Sequence, residues 1–395
     1  MTSQEVHMGD TIEVTIENVA NGGFCIARHE GRVIFVRHAI PGERVLVEIT
    51  DITKKFLRAD VVTVIEASEH RVSAPCPYAG VCGGCDWQHV SLEFQRELKS
   101  RVIREQMGHL AKLTHVNGRP LDEFVVQPLK ASETGLRWRT RNRYGRSGPD
   151  AVGLNMSRSH SVVEIDDCLI AVDGSVEIAL GALALSTREI ATVKTSFGKQ
   201  IVVDPRNGPM IDERVGERTW HIHAGSFWQV HESAPEVFVS TVRAMAYLGQ
   251  GESLLDLYSG AGLFAASLAK DVGTTGEVIA VESSVDAVRD ARRSCSDIAT
   301  LQLVTADVSK WVATNAQEKF DVIVLDPPRA GAGIDTITTI SGMANRAIVY
   351  VACEPSALAR DTAVLISEGW RLEKLVAYDA FPMTSHMETI ALFER

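Results

Sequence analysis

Cys353 closes the run Tyr350-Val351-Ala352-Cys353-Glu354-Pro355, just after an apolar strand and before a proline that can open a helix. A lone cysteine on an apolar strand is usually core. One at the carboxyl edge of a parallel sheet faces the region where open α/β folds bind ligands. A helix N-terminus there is expected to lower its pKa and favour the thiolate. Such a thiolate suits addition to carbon 6 of a uracil, because carbon 5 by itself is a poor nucleophile. The enolate formed by addition lets carbon 5 attack an electrophilic methyl. A base then removes the carbon-5 proton and the thiol is expelled. The candidate base is Glu388, in Ser385-His386-Met387-Glu388-Thr389-Ile390. The competing reading of Glu388 is an ordinary acid on an exposed strand.

A second set of residues suits a nucleoside cofactor. Leu254-Leu255-Asp256-Leu257-Tyr258-Ser259-Gly260-Ala261-Gly262-Leu263 reads as a strand, a glycine turn and a helix start. Gly260 and Gly262 let the backbone approach a ligand, and the helix start offers free N–H groups. Glu282, ending Val278-Ile279-Ala280-Val281-Glu282, stands where an acid can accept from both ribose hydroxyls. A dinucleotide fold wants a third glycine, and this chain has Ala265 there. An acid, Asp256, precedes the glycines, which looks like the first motif of a class I methyltransferase. Asp326-Pro327-Pro328-Arg329 ends a further strand. Enzymes that methylate exocyclic amines often have an aromatic after the proline pair, so Arg329 argues against that chemistry.

Two more groupings carry possible chemistry. Of seven cysteines, Cys76, Cys82 and Cys85 lie close together and Cys168 follows. By spacing alone, four thiolates suit zinc and an iron–sulfur cluster equally. Cys25 and Cys295 read as small buried hydrophobes. Arg137-Trp138-Arg139-Thr140-Arg141-Asn142-Arg143-Tyr144 is the dense basic stretch. On a strand its arginines share one face, to meet either phosphates or carboxylates. Phosphate contact by Arg139, Arg141 and Arg143 is favoured, because a uridine substrate brings phosphates with it. The target base must leave its stack, so a single-stranded or loop RNA is expected as the partner.

These residues need elements to hold them. A chain of 395 residues suggests two or three domains. Its net charge of −11 argues mildly against nucleic acid as a whole-chain property, though a local basic face is what counts. No apolar run approaches a membrane span, and Met1-Thr2-Ser3-Gln4-Glu5 does not read as a signal peptide. A cytoplasmic monomer is expected. Short β-branched runs punctuated by glycine over 1–67 predict an OB-like β-barrel. Residues 68–226 form a mixed middle domain with the cysteines, and 91–113 an amphipathic helix expected to pack on the last domain. From 227 to 395, strands alternate with helices, the pattern of a doubly wound parallel sheet.

Taken together, Cys76-x5-Cys82-Gly83-Gly84-Cys85, Asp166-Asp167-Cys168, Phe227-Trp228-Gln229-Val230, Asp326-Pro327-Pro328-Arg329-Ala330-Gly331, Cys353-Glu354-Pro355 through Asp361, and His386-Met387-Glu388-Thr389 resemble the RumA/TrmA-type RNA (uracil-5-)-methyltransferases over nearly the whole length. The resemblance implies an α/β class I methyltransferase domain behind an RNA-binding TRAM barrel and an iron–sulfur middle domain. It implies Cys353 as nucleophile, Glu388 as base and Asp326 as a uracil contact. Gln229, Tyr258, Glu282 and Asp326 would line the S-adenosylmethionine site, with Asp307 near the adenine. Cys76, Cys82, Cys85 and Cys168 would hold a [4Fe-4S] cluster. The barrel and the cysteines look like the ribosomal branch, which acts on 23S rRNA. The alternatives are a tRNA substrate and, from another class, an inactive iron–sulfur RNA-binding protein. Glu354 and His231 stand where the family usually has asparagine.

Overall fold

The computed structural model describes residues 6–130 and 133–395; the Met1–Glu5 run lies outside them. The N-terminal part is a six-stranded sheet in the order Thr11–Thr15, Arg44–Ile52, Phe56–Glu66, Arg32–Arg37, Cys25–His29, Asn18–Val19. Thr11–Thr15 also touches Cys25–His29, which curls the sheet around Ile34, Val36, Val47, Leu57 and Ala59. Cys25 is buried in that core, its thiol donating to the Ala39 carbonyl at 3.2 Å.

The C-terminal part is an eight-stranded sheet. Ser253–Leu257 lies between Glu277–Glu282 and Phe320–Leu325 and is parallel to both. Leu301–Thr305 extends one side, and Ala344–Ala352 extends the other, again parallel. Glu388–Glu394 then runs antiparallel between Ala344–Ala352 and Arg371–Asp379. Strand order therefore reverses between Ser253–Leu257 and Phe320–Leu325, the switch point where such sheets bind ligands at their carboxyl ends. The central strands are nearly continuous apolar runs because helices cover both faces.

Between these parts, a five-stranded antiparallel sheet includes Arg141–Arg146 and Glu189–Lys194. The hairpin Met210–Val215/Arg218–His223 packs on the helix Val285–Ser294. The predicted helix runs from Leu92 to His109 and packs against the helix Pro355–Ser367 of the large sheet. Leu98, Val102, Ile103 and Met107 join that domain's core. Gln127–Pro128 adds an edge strand beside Arg371–Asp379. Among the described residues, no helix is long and apolar enough to cross a membrane.

Candidate active site

At the switch point the strand Ser253–Leu257 enters a tight turn. Tyr258 adopts φ +61°, a conformation a bulky residue seldom takes, and Gly262 adopts φ +80° as it opens the helix Leu263–Val272. Glu282 accepts from the Gly260 N–H at 3.0 Å and the Ser284 N–H at 2.7 Å. Asp307 caps the helix Val308–Thr314, accepting from the Lys310 N–H at 3.0 Å. Hydrogen bonds to Ser309 and Lys310 hold its pKa below the ordinary carboxylate range.

One cavity of about 1450 Å³ spans this turn and the neighbouring strand ends. That exceeds the roughly 300–1,000 Å³ of a single ligand pocket and leaves room for two ligands side by side. Gln229, Tyr258, Gly260, Glu282 and Asp307 line one part of it. Asp326, Arg329, Cys353, His386 and Glu388 line another, and Phe227, 75 % exposed, stands on the wall.

The electrostatics of the second part differ from the sequence-based expectation. The Cys353 thiol is pushed up to about 11, first by burial and then by the charges of Glu388 and Asp326, while Arg329 opposes them. The thiol does sit beside the N-terminus of the helix Pro355–Ser367, but Glu354 is the capping residue and its carboxylate accepts from the Ser356 N–H. Burial and two nearby carboxylates therefore outweigh the helix end. Burial raises Asp326 to about 7. Glu388, 4 % exposed, is raised well above the ordinary range by burial and by Asp326, against Arg329. The His386 pKa is lowered by burial and by Arg329, whose guanidinium lies 3.4 Å from Nε2.

The segment leading to Glu388 is held by residues that carried no signal in the sequence. Gln95 accepts from the Met383 N–H at 2.8 Å and donates to the Trp87 and Val90 carbonyls. The Asp86 carboxylate accepts from the Ser385 N–H and hydroxyl, both at 3.1 Å. Lys99, fully buried, pairs with Asp379 at 2.5 Å and donates to the Phe381 carbonyl. These residues lie on or just before the helix Leu92–His109, so that helix sets where the acid stands. Recognising them takes the fold, because their partners lie about 280 positions away in the chain.

Three sequence-based assignments are corrected. Asp256 does not line the cavity. It is fully buried, accepts from the Ala265 N–H at 2.8 Å, and its other oxygen has no hydrogen-bond partner among the described residues. Burial, followed by Asp326 and Glu282, raises it to about 8, so it braces the turn from behind. Arg141 is not a phosphate contact. It is buried, bonded to Glu213 at 2.7 Å and to the carbonyls of Ala224 and Ser226. The arginines also do not share one strand: the strand begins at Arg141, and Arg137 has φ +59° and pairs with Asp167 and Asp173. Arg143 is exposed and Arg139 is half-buried on the cavity wall. His231 is buried and stacked on Trp138, and burial holds its pKa near about 4.

Four of the other six cysteines meet at a second, much smaller cavity. Cys76, Cys82, Cys85 and Cys168 line it with Leu154 and Ile165. Burial raises the Cys85 thiol to about 12, and the charges of Cys168, Cys82 and Cys76 push the same way. Arg137, bound to Asp167 and the Cys168 carbonyl, fixes the Cys168 turn. Among the described residues no group of three or more His, Cys, Asp or Glu is arranged to hold a metal ion.

Residues 5–62 match the TRAM domain, and residues 185–395 match the family described as tRNA (Uracil-5-)-methyltransferase. The chain belongs to that uracil-5-methyltransferase family. It is 37% identical to an uncharacterized RNA methyltransferase of Streptomyces coelicolor over 98% of this chain and 93% of that protein. It is 34% identical to one from Bdellovibrio bacteriovorus over 97% and 95%. In fold it is similar to the Pyrococcus abyssi tRNA (uracil-54, C5)-methyltransferase in complex with S-adenosyl-L-homocysteine, with a TM-score of 0.73. That match has 22% identity and covers 96% of this chain and 99% of the other.

Proposed function

We propose that the protein methylates carbon 5 of a uridine in RNA, using S-adenosylmethionine and a covalent bond from Cys353 to carbon 6. The observation that carries this is the single cavity shared by a nucleoside-binding turn and by Cys353, Glu388 and Asp326. S-adenosylmethionine supplies an electrophilic methyl and a positive charge. Gln229, Tyr258, Glu282 and Asp307 would hold it. The Cys353 thiolate forms the sulfur–carbon 6 bond as the ring's double bond shifts to an enolate. Carbon 5 of the enolate then takes the methyl as the sulfonium sulfur–methyl bond breaks and S-adenosylhomocysteine leaves; Glu388 takes the carbon-5 proton, and the electron pair left behind expels the thiolate. Burial favours the neutral acids, and Arg329 is the side chain whose charge favours the ionised forms that both steps require. Asp326 and Arg139 would hold the base and its backbone, with exposed Arg143 reaching further along the RNA.

We assign 23S rRNA as the substrate and a [4Fe-4S] cluster to the cysteine cavity. Four thiols that face one cavity suit zinc or a cluster by their chemistry, and the family resemblance of the cysteine spacing favours the cluster. A tRNA substrate is the second reading. The Pyrococcus enzyme matches this chain almost end to end, so a barrel ahead of the catalytic domain does not separate the two substrates.

The test mixes Glu388→Gln with S-adenosylmethionine and either RNA. A methylated protein–RNA adduct that survives denaturation is expected, and Cys353→Ala should give neither adduct nor product. Near-normal turnover by Glu388→Gln would remove Glu388 as the base. Methylation by Cys353→Ala would end the covalent mechanism. The RNA that yields adduct identifies the substrate.

A further inference from the structure

The helix Pro355–Ser367 begins just after Cys353 and, in its second turn, grips the loop that carries Arg329. Asp361 on that helix is buried, and the chemistry above does not use it. One of its oxygens accepts from the Ala332 N–H at 3.0 Å and from the Tyr350 hydroxyl at 2.7 Å. Tyr350 is fully buried on the strand Ala344–Ala352, which leads into Cys353. The neighbouring Arg360 donates to the Ala330 carbonyl at 3.2 Å. Within the loop, the Gly331 N–H closes a turn onto the Pro328 carbonyl at 2.8 Å. Gly331 holds φ +85°, and a Cβ there would come within 2.9 Å of the Asp361 carboxylate. The loop lies this close only because position 331 carries no side chain.

Arg329 stands in the middle of the gripped segment, and its own side chain is loosely tied. It is exposed, and its guanidinium reaches His386 at 3.4 Å. A long side chain held this loosely depends on its backbone for its place, because freezing its rotamers has an entropic cost that one weak bond does not offset. Burying a carboxylate is costly unless its hydrogen bonds are made. Both bonds recorded for Asp361 go to parts that flank the chemistry: the Arg329 loop and the strand that delivers the nucleophile.

We propose that Asp361, braced by Tyr350, is a positioning residue for Arg329: it locks the loop 326–332 to the strand and the helix on either side of Cys353, so that the guanidinium stays in the catalytic cavity. Asp361 then acts on the thiol through Arg329 and not by its own charge, and the two routes have opposite signs. Losing a nearby negative charge makes a thiol more acidic, whereas displacing a nearby cation makes it less acidic. The proposal rests on the methyltransferase reading only for what the thiolate attacks.

The test treats the full chain with iodoacetamide from neutral to alkaline pH, without RNA or S-adenosylmethionine, and follows the Cys353 peptide by mass spectrometry. Asp361→Ala should slow alkylation at fixed pH by roughly three- to tenfold and displace its midpoint upward, as Arg329→Ala should. In an Arg329→Ala background the same substitution should change the rate by less than about twofold, because the group it positions is gone. Asp361→Asn keeps an oxygen able to accept both bonds and should stay within about twofold of the parent. Tyr350→Phe removes one of the two bonds with little change of shape and should slow alkylation roughly twofold or more. It carries the test if Asp361→Ala does not fold. Alkylation as fast as the parent's, or faster, in folded Tyr350→Phe and Asp361→Ala would overturn the proposal. So would equal slowing with and without Arg329, which would leave Asp361 a strut of the fold. If the variants behave as expected yet no RNA is methylated, the positioning stands and the methyltransferase reading falls.

Discussion

Two cavities in this protein are built around cysteine, and their surroundings separate their chemistry. Cys353 opens into a cavity of about 1450 Å³ that Asp326, Glu388, His386 and Arg329 also line. Cys76, Cys82, Cys85 and Cys168 face a small cavity, mostly among apolar side chains and one another. Burial raises thiol pKa values at both sites, so a raised pKa by itself does not tell a nucleophile from a ligand. The neighbours do: beside Cys353 stand a cation and a buried acid able to move a proton, whereas beside Cys85 stand three more thiols.

Breaking each site should therefore fail in a different way, and the largest contrast is in stability. If the proposed cluster is bound, anaerobically purified protein should absorb near ~400 nm, and Cys168→Ser should lose that absorbance and lower the melting temperature by several degrees, because one of its four ligands would be lost. Cys353→Ala should keep both the colour and the melting temperature. Colourless parent protein holding zinc would overturn the cluster, and equal melting losses from the two variants would erase the contrast.

A smaller effect concerns reactivity. With its thiol near about 11, Cys353 in the empty enzyme should be alkylated by iodoacetamide slowly at neutral pH. The rate should climb about tenfold per pH unit toward that value, since the thiolate reacts. A raised thiol pKa means the thiolate appears later on the pH scale than for an ordinary cysteine at about 8.5, so the rise should be displaced upward. Arg329→Ala removes the opposing cation and should slow alkylation a further roughly three- to tenfold. An alkylation midpoint near the ordinary value would show that the carboxylates do not govern the thiol.

The smallest expected effect tests the two acids near the glycine turn. Asp256→Asn should change S-adenosylmethionine affinity by less than about threefold, because Asp256 touches only the turn behind the cavity. Glu282→Gln, on the cavity wall, should cost about tenfold or more. Calorimetric titration that ranks them the other way would return Asp256 to the binding set.

That Cys353 and Glu388 would share one site was legible in the sequence, because position along an alternating α/β pattern puts strand ends on one edge. Cys353 follows a strand, Glu388 begins one, and both line the cavity with Asp326. The four cysteines, the last separated from the others by a gap of 82 residues, were also legible as a set and do line one cavity. The arginine stretch misled, because its partners are distant: Glu213 lies 72 positions from Arg141 and can be placed only by the fold.

By itself the sequence determined the architecture of the catalytic sheet, through its period of apolar strands and helices, and the residue types able to do the chemistry. Tertiary structure alone decided how those residues behave. It buried Asp256 behind the turn and neutralised Arg141 with a carboxylate. It lifted the Cys353 thiol to about 11 where a helix end alone would have lowered it. It also hung the acid-bearing segment from Gln95 and Lys99. Burial and charge–charge distances govern ionisation, and neither can be read from order along a chain when the groups that set them are tens of residues apart.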